Sequence, residues 1–135
     1  HNGTSKLRDK QIDAAIRDFK KAEGKDPSIP GILDGLGSCY HEQKNYEEAL
    51  TNFNEAIKLD PKNVEFLKNR SKTYYETKDY DQSAADLNKA LDQNKEDPDV
   101  LYLLGLTYYA DQKYKKCIKQ LKEALKNKTG TVQYL

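Results

Sequence analysis

The sequence predicts an all-α protein built from antiparallel helix pairs, and three observations support this prediction. Apolar residues recur with a fixed period of 34 residues along the 135-residue chain. Within each period they follow the i, i+3, i+4, i+7 spacing of an amphipathic helix, which one short polar segment interrupts. The composition has 33% charged residues but only seven glycines and four prolines, which is typical of soluble helical chains.

The period defines three consecutive repeats, at residues 30–63, 64–97 and 98–131. Six of the ten tyrosines fall in two columns with this spacing, and columns of leucine and alanine share it. Because no insertion interrupts the register, each repeat is expected to have the same structure. These columns are Tyr40, Tyr74, Tyr108; Tyr46, Tyr80, Tyr114; Leu33, Leu67, Leu101; and Ala56, Ala90, Ala124.

Each repeat is predicted to contain two helices joined by a short turn. In the first repeat the polar segment 41–45 separates two apolar stripes, one ending at Tyr40 and the next beginning at Tyr46. Pro30 and Pro98 are the first residues of their repeats. This position suits the start of a helix, where the missing N–H of proline is tolerated. The seven expected helices lie near 9–24, 30–43, 46–58, 64–77, 80–92, 98–111 and 114–127.

The pattern continues beyond the three repeats at both ends. The alanine and phenylalanine of the second helix recur upstream at Ala15 and Phe19, so residues 6–29 are predicted to hold the second helix of a preceding partial repeat. Residues 132–135 match the beginning of a further, truncated repeat. Residues 1–5 open a chain that contains no methionine, and we expect them to be the remnant of a tag or linker.

These repeats resemble the tetratricopeptide repeat, a 34-residue helix pair with Leu-Gly and Tyr in its first helix and Ala, Phe, Ala and Pro in its second. The second repeat has Arg70-Ser71 in place of Leu-Gly, and the third retains Leu104-Gly105. The resemblance implies that the helix pairs stack into an α-solenoid, a right-handed superhelix whose concave groove is lined by the first helix of each repeat. In the first repeat Leu33 replaces the usual Trp, and the matching residues are Leu36, Gly37, Tyr40, Ala49, Phe53, Ala56 and Pro61.

The resemblance implies a non-catalytic module that binds a protein or peptide segment in the groove, as part of a longer scaffold or adaptor. Lys68 and Lys72, four residues apart on one helix, repel each other mildly unless an anionic group lies between them. This favours an acidic group in the partner, and a solvated lysine face is an equally weighted alternative. The partner-binding residues implied by the family are Asp34, Ser38, His41, Lys68, Asn69, Lys72, Tyr75, Tyr102, Leu103 and Tyr109.

Two other functions are also consistent with the sequence. The chain could form a structural span of a ciliary, cytoskeletal or trafficking assembly, acting through self-association of its uncapped ends or through contacts of its convex face. It could also bind the acidic tails of chaperones, as family members with a carboxylate clamp do, but this is disfavoured. Where the clamp has Lys and Asn, then Asn, then Lys and Arg, this chain has Asp34 and Ser38, then Asn69, then Asp99 and Leu103.

Composition argues against several other classes of function. The 23 basic and 22 acidic residues give a net charge of +1, so no overall field attracts nucleic acid or an anionic membrane. The longest nearly apolar stretch, 100–110, is about half of the ~20 residues that span a bilayer. His41 is the one histidine outside the N-terminal residue, so neither a catalytic triad nor a two-histidine metal site is expected, and we predict no enzymatic activity and no cofactor. Cys39 and Cys117 lie far apart in sequence and favour a reducing compartment, so we expect a cytoplasmic location, the cilium and cytoskeleton included.

Overall fold

The computed structural model describes residues 3–129, and within this range the chain forms seven α-helices and no strand. Six of the seven agree with the predicted bounds to within two residues, so the all-α architecture of repeated helix pairs is confirmed. The segment 132–135, predicted to begin another repeat, lies outside the described residues. The helices are α1 Gly3–Lys25, α2 Pro30–Glu42, α3 Tyr46–Leu59, α4 Val64–Glu76, α5 Tyr80–Leu91, α6 Pro98–Ala110 and α7 Tyr114–Thr129.

The start of α1 differs from the prediction. The helix begins at Gly3, six residues before the expected position, and its residues 4–10 are all exposed. An exposed helical turn needs no apolar stripe, so the periodic pattern carries no signal there. Arg8 in this extension forms an ion pair with Glu42 of α2. Residues 3–5 therefore belong to α1, and the origin of residues 1–5 in a tag or linker stays a prediction.

Contacts divide the chain into two compact units, residues 1–61 and 62–135. In the first unit α2 packs against both α1 and α3. The ring of Phe53 lies directly on Gly37, where a Cβ atom would come within 2.6 Å of it, so this contact needs glycine. The core of this unit consists of Leu33, Leu36, Ala49, Phe53, Ala56 and Ile57.

In the second unit α5 packs against α4 and α6, and α6 packs against α7. This unit contains the repeat with Arg70-Ser71 in place of Leu-Gly. The Ser71 hydroxyl donates a hydrogen bond to the carbonyl of Lys68, and the Ser83 hydroxyl donates one to the carbonyl of Ser71, so these buried polar groups are satisfied. The apolar core around them includes Leu67, Leu87, Ala90, Val100, Leu101 and Leu104.

The turn inside each repeat has the same backbone geometry. Lys44, Lys78 and Gln112 are 34 residues apart and have φ values of 63°, 65° and 63°, in the left-handed region. The N–H of the next residue bonds back to a carbonyl of the Tyr40 column, at 2.8 Å from Asn45 in the first repeat. This is the Schellman arrangement that closes a helix, with a non-glycine residue in its left-handed position. It reverses the chain, so that the two helices of a pair run antiparallel.

Candidate partner-binding surface

The residues expected to contact a partner lie on the first helices of the three repeats. Three of them are on α2 in the first unit, and seven are on α4 and α6 in the second unit. Those on α2 are Asp34, Ser38 and His41. Those on α4 are Lys68, Asn69, Lys72 and Tyr75, and those on α6 are Tyr102, Leu103 and Tyr109.

On α2 the three candidates are half-buried and already in contact with the protein. The His41 ring stands edge-on to the Tyr46 ring, with 5.3 Å between centroids, and Asp34 has an interaction partner of its own. Ser38 faces α1, where it lines a shallow depression of about 340 Å³ together with Ile12 and Ala15. Only part of each side chain is therefore left for a partner.

Cys39, which follows Ser38, also lines this depression. Burial raises the pKa of the Cys39 thiol above its usual value, because a thiolate is poorly solvated there. The protonated thiol is a weak nucleophile, and Cys39 serves as a small packing residue.

On α4 the Lys68 side chain is held inside the protein, with only 11% of it exposed. Its ammonium lies 3.0 Å from a Glu65 carboxylate oxygen and 3.8 Å from one of Asp99 on α6. Burial alone would lower the pKa of Lys68, but the hydrogen bond and charge of Glu65, with the charges of Asp97 and Asp99, raise it above its usual value. The charge of Lys68 is thus compensated within the chain. Glu65 and Asp99 therefore already relieve the repulsion between Lys68 and Lys72, and an anion from a partner is not needed for this.

The carboxylates that compensate Lys68 are themselves open to solvent. The side chains of Glu65 and Asp99 are 69% and 74% exposed. Asp97 caps α6 by accepting hydrogen bonds from the backbone N–H groups of Asp99 and Val100, at 3.0 and 3.3 Å. A partner approaching this end of α6 therefore meets carboxylates, with the ammonium lying beneath them.

The other candidates on α4 differ in exposure. Lys72 is exposed, whereas Asn69 and Tyr75 are half-buried. The Tyr75 ring packs edge-on against Tyr80, with 5.7 Å between centroids, and Asn69 has an interaction partner of its own within the chain. Of the four candidates on α4, Lys72 is the one fully available to a partner.

On α6 the candidates form an exposed aromatic face. Tyr102 and Tyr109 are 52% and 61% exposed, and Leu106, half-buried, lies between them. Their i, i+4, i+7 spacing puts all three on one side of the helix, and we call them the α6 face. Leu103 is half-buried beside it. The opposite side of α6 packs into the unit through Val100, Leu101, Leu104, Gly105 and Thr107.

The sequence did not indicate Glu65 as part of this surface. A signal was present, because Glu65 and Lys68 have the i, i+3 spacing of helical ion pairs. The pairing of Lys68 with Asp99 joins two helices and could be found only from their packing.

The described part of the chain offers little for other kinds of site. Within residues 3–129 no group of three or more histidine, cysteine, aspartate or glutamate side chains is placed to hold a metal ion. In the same residues no helix has the length and apolar character needed to cross a membrane.

Within residues 3–129, α2 with α3, α4 with α5 and α6 with α7 form three packed pairs of consecutive helices, and this repetition defines a helical-repeat protein of the kind that serves protein–protein interaction. Family comparisons assign residues 37–78 and 72–112 to the TPR repeat and residues 98–129 to the tetratricopeptide repeat. These matches cover more than half of the sequence, and the chain belongs to the tetratricopeptide repeat family. No curated protein sequence matches it.

Solved structures of tetratricopeptide repeat proteins share the fold. MamA is 23% identical, with a TM-score of 0.83 over 98% of this chain and 78% of its own. A tetratricopeptide repeat protein from Parabacteroides merdae is 26% identical, with a TM-score of 0.82 over 94% of this chain and 51% of its own. The first TPR of Spaghetti (RPAP3), solved bound to the HSP90 peptide SRMEEVD, is 24% identical, with a TM-score of 0.72 over 78% of this chain and 84% of its own.

Proposed function

We propose that this chain is a non-catalytic module that binds a segment of a partner protein on the exposed sides of its first helices, within a longer cytoplasmic scaffold or adaptor. The observation that carries the proposal is the α6 face. Two large aromatic side chains, Tyr102 and Tyr109, are more than half exposed on one side of a helix whose other side is buried. Tyrosine is enriched at the energetic centres of protein interfaces, because it combines apolar area with a hydrogen-bonding hydroxyl.

The remaining candidate residues have different parts in this proposal. Lys72 and Leu103 extend the α6 face towards α4, and Asn69 and Tyr75 contribute their exposed edges. Lys68 lies beneath the exposed carboxylates of Glu65 and Asp99 and offsets part of their charge. On α2 we propose smaller contacts from Asp34, Ser38 and His41. The expectation of an acidic partner was based on Lys68 and Lys72. Because the charge of Lys68 is compensated within the chain, only Lys72 still supports that expectation.

Peptide selection followed by mutation of the α6 face tests the proposal. A library of random peptides displayed on phage is selected against the full chain, and affinities of the selected peptides are measured by fluorescence anisotropy. The Tyr102→Ala/Tyr109→Ala variant should bind them at least about tenfold more weakly, as expected when interface aromatic residues are lost. Leu59→Ala, on the exposed end of α3, is the matched control and should change nothing. Equal binding by all three proteins, or no selected peptide, would contradict the proposal.

A second candidate function, as a structural span that self-associates, is favoured by the burial of equivalent positions. Ala84 on α5 and Ile118 on α7 are equivalent positions, 34 residues apart. Ala84 is 8% exposed, and α6 packs against its helix, whereas Ile118 is 56% exposed. On α1, Phe19 is half-buried where its equivalent Phe53 is buried. These apolar positions can be covered by a neighbouring helix, in a ciliary, cytoskeletal or trafficking assembly or in a second copy.

Sedimentation equilibrium tests this second function. We expect the average mass to rise with concentration and the rise to be reduced in Ile118→Lys, because a charge on the exposed position opposes apolar contact. The Leu59→Lys variant controls for added charge elsewhere. A monomer at every concentration would count against self-association and would leave peptide binding on the α6 face as the function.

A further inference from the structure

We infer that the α6 face binds a segment that carries a basic side chain followed by apolar side chains, and not an acidic segment. This inference rests on the proposed function, since it concerns the chemistry of the partner bound at the same surface.

The charge at the N-terminal end of the α6 face is negative. Three carboxylates, those of Glu65, Asp97 and Asp99, surround the single ammonium of Lys68, which leaves two net negative charges. The two carboxylates that reach the surface are more than two-thirds exposed, whereas Lys68 is almost covered. Opposite charge in a partner would therefore be attracted here, and an acidic side chain repelled.

The aromatic ring beside these carboxylates suits the same cation. Tyr102 follows Asp99 by three residues on α6, so the two side chains lie on one side of the helix, about 4.5 Å apart along its axis. A guanidinium or ammonium placed against Asp99 is within reach of the Tyr102 ring. It would gain an ion pair together with a cation–π contact.

The second unit contains this combination internally. The guanidinium of Arg70 forms an ion pair with the Asp86 carboxylate and lies 5.6 Å from the centroid of the Tyr74 ring. Tyr74 follows Arg70 by four residues on α4. Carboxylate, cation and tyrosine ring thus occur together within this protein. At the N-terminal end of the α6 face the carboxylate of Asp99 is 74% exposed, and the one cation near it, the Lys68 ammonium 3.8 Å away, is almost covered.

The rest of the α6 face fixes where apolar side chains of the partner would lie. Tyr109 is seven residues beyond Tyr102, or about 10 Å along the helix. An extended segment advances about 3.3 Å per residue, so apolar side chains about two and four positions after the basic one would cover Leu106 and Tyr109. Lys72, on the neighbouring helix α4, is also exposed, but its single positive charge is outnumbered by the two exposed carboxylates of Glu65 and Asp99.

Two labelled eight-residue peptides test the inference with the full chain. Both carry leucine at the fifth and seventh positions, one has arginine at the second and third positions, and the other has glutamate there. By fluorescence anisotropy we expect the arginine peptide to bind at least about tenfold more tightly, with affinity that falls as salt is added. Glutamate-peptide binding that equals or exceeds it, or binding of neither peptide, would overturn the inference.

Variants of the charged residues give opposite shifts. Glu65→Gln/Asp99→Asn should weaken arginine-peptide binding about fivefold or more, whereas Lys68→Gln, which removes the compensating ammonium, should strengthen it. Glu55→Gln, an exposed carboxylate on α3, is the matched control. Circular dichroism of each variant checks that it is folded. If the partner is acidic, Lys68→Gln should weaken its binding. Weaker arginine-peptide binding by Lys68→Gln, or tighter glutamate-peptide binding by Glu65→Gln/Asp99→Asn than the wild type shows for the arginine peptide, would therefore also overturn the inference.

The failure of this inference is distinguishable from failure of the proposed function. If both peptides bind equally and Tyr102→Ala/Tyr109→Ala weakens both, the α6 face binds a partner segment and its charge preference is absent. If library-selected peptides bind at a different surface, the Tyr102 and Tyr109 substitutions have no effect on them, and the proposed function itself fails.

Discussion

The Arg70 guanidinium forms two hydrogen bonds with the Asp86 carboxylate, 2.6 and 2.9 Å long, at a position where the neighbouring repeats have leucine. The equivalent residues Leu36 and Leu104 are buried in the core. The hydrogen bond with Asp86 outweighs burial and, with the charges of Asp86 and Tyr74, raises the pKa of Arg70 above its usual value. The second repeat thus replaces an apolar contact by a paired, mostly buried charge.

Removing one partner of this pair should be costly. Asp86→Asn leaves the Arg70 charge without its carboxylate, and we expect a loss of about 2–3 kcal/mol in the free energy of unfolding, measured by urea denaturation. This is below the ~3–5 kcal/mol of a fully buried pair, because Arg70 stays about a fifth exposed. The matched variant Arg70→Leu/Asp86→Asn copies the first repeat, which has Leu36 and Asn52 at these positions, and should be close to the wild type. Equal stability of the single and double variants would contradict this account.

Two glycines of α2 offer a second matched pair. A Cβ atom at Gly37 would lie 2.6 Å from the ring of Phe53, which is almost fully buried and has no room to move, whereas nothing lies within 4 Å at Gly31. Gly37→Ala should therefore lower the free energy of unfolding by about 1–3 kcal/mol through overpacking. Gly31→Ala should raise it by up to about 1 kcal/mol, because alanine is the better helix former. Thermal denaturation followed by circular dichroism measures both changes in stability. Destabilisation by Gly31→Ala would show that helix propensity does not determine the effect of alanine at that position.

The bounds of six helices were predictable because the 34-residue period and the apolar stripes report core-facing positions directly. The first turns of α1 were not, since Thr4 to Lys10 have no core contact to leave a pattern. The left-handed residues were equally hidden. Glycine is the residue that usually marks such a position, but here the residues are Lys44, Lys78 and Gln112. They share only their position within the 34-residue period.

The candidate surface was predictable in part. The family columns led to Tyr102 and Tyr109, which the structure finds exposed, because a repeat fixes which side of each first helix faces away from the core. Charge was harder to predict. The sequence placed Lys68 beside Lys72, but the compensation of Lys68 depends on Asp99, which packing brings to it from another helix.

The raised pKa of Lys68 gives its pairing a defined pH range. A lysine whose pKa is higher in the folded than in the unfolded chain stabilises the fold below its unfolded value near 10.5, and this contribution is lost as the pH rises through the folded value. The difference in unfolding free energy between the wild type and Lys68→Gln should therefore stay constant between about pH 7 and 9 and shrink above about 10.5. Urea denaturation across this range measures it. A difference that stays the same up to about pH 11 and above would mean that the Lys68 pairing contributes nothing.

Chaperone tails provide a final prediction, because the residues present oppose them. The peptide SRMEEVD, to which the structural neighbour Spaghetti (RPAP3) is bound, ends in acidic residues and a free carboxylate. Here Asp99 and Leu103 stand where clamp members of the family have Lys and Arg, and Asp99 is exposed with Glu65 beside it. Desolvating like charges against each other is unfavourable, so we expect no binding of SRMEEVD tighter than about 1 mM by isothermal titration calorimetry. The arginine peptide tested in the same cell serves as the control that the protein is competent to bind. Micromolar binding of SRMEEVD would place its contacts elsewhere on the chain and would restore the acidic-partner hypothesis.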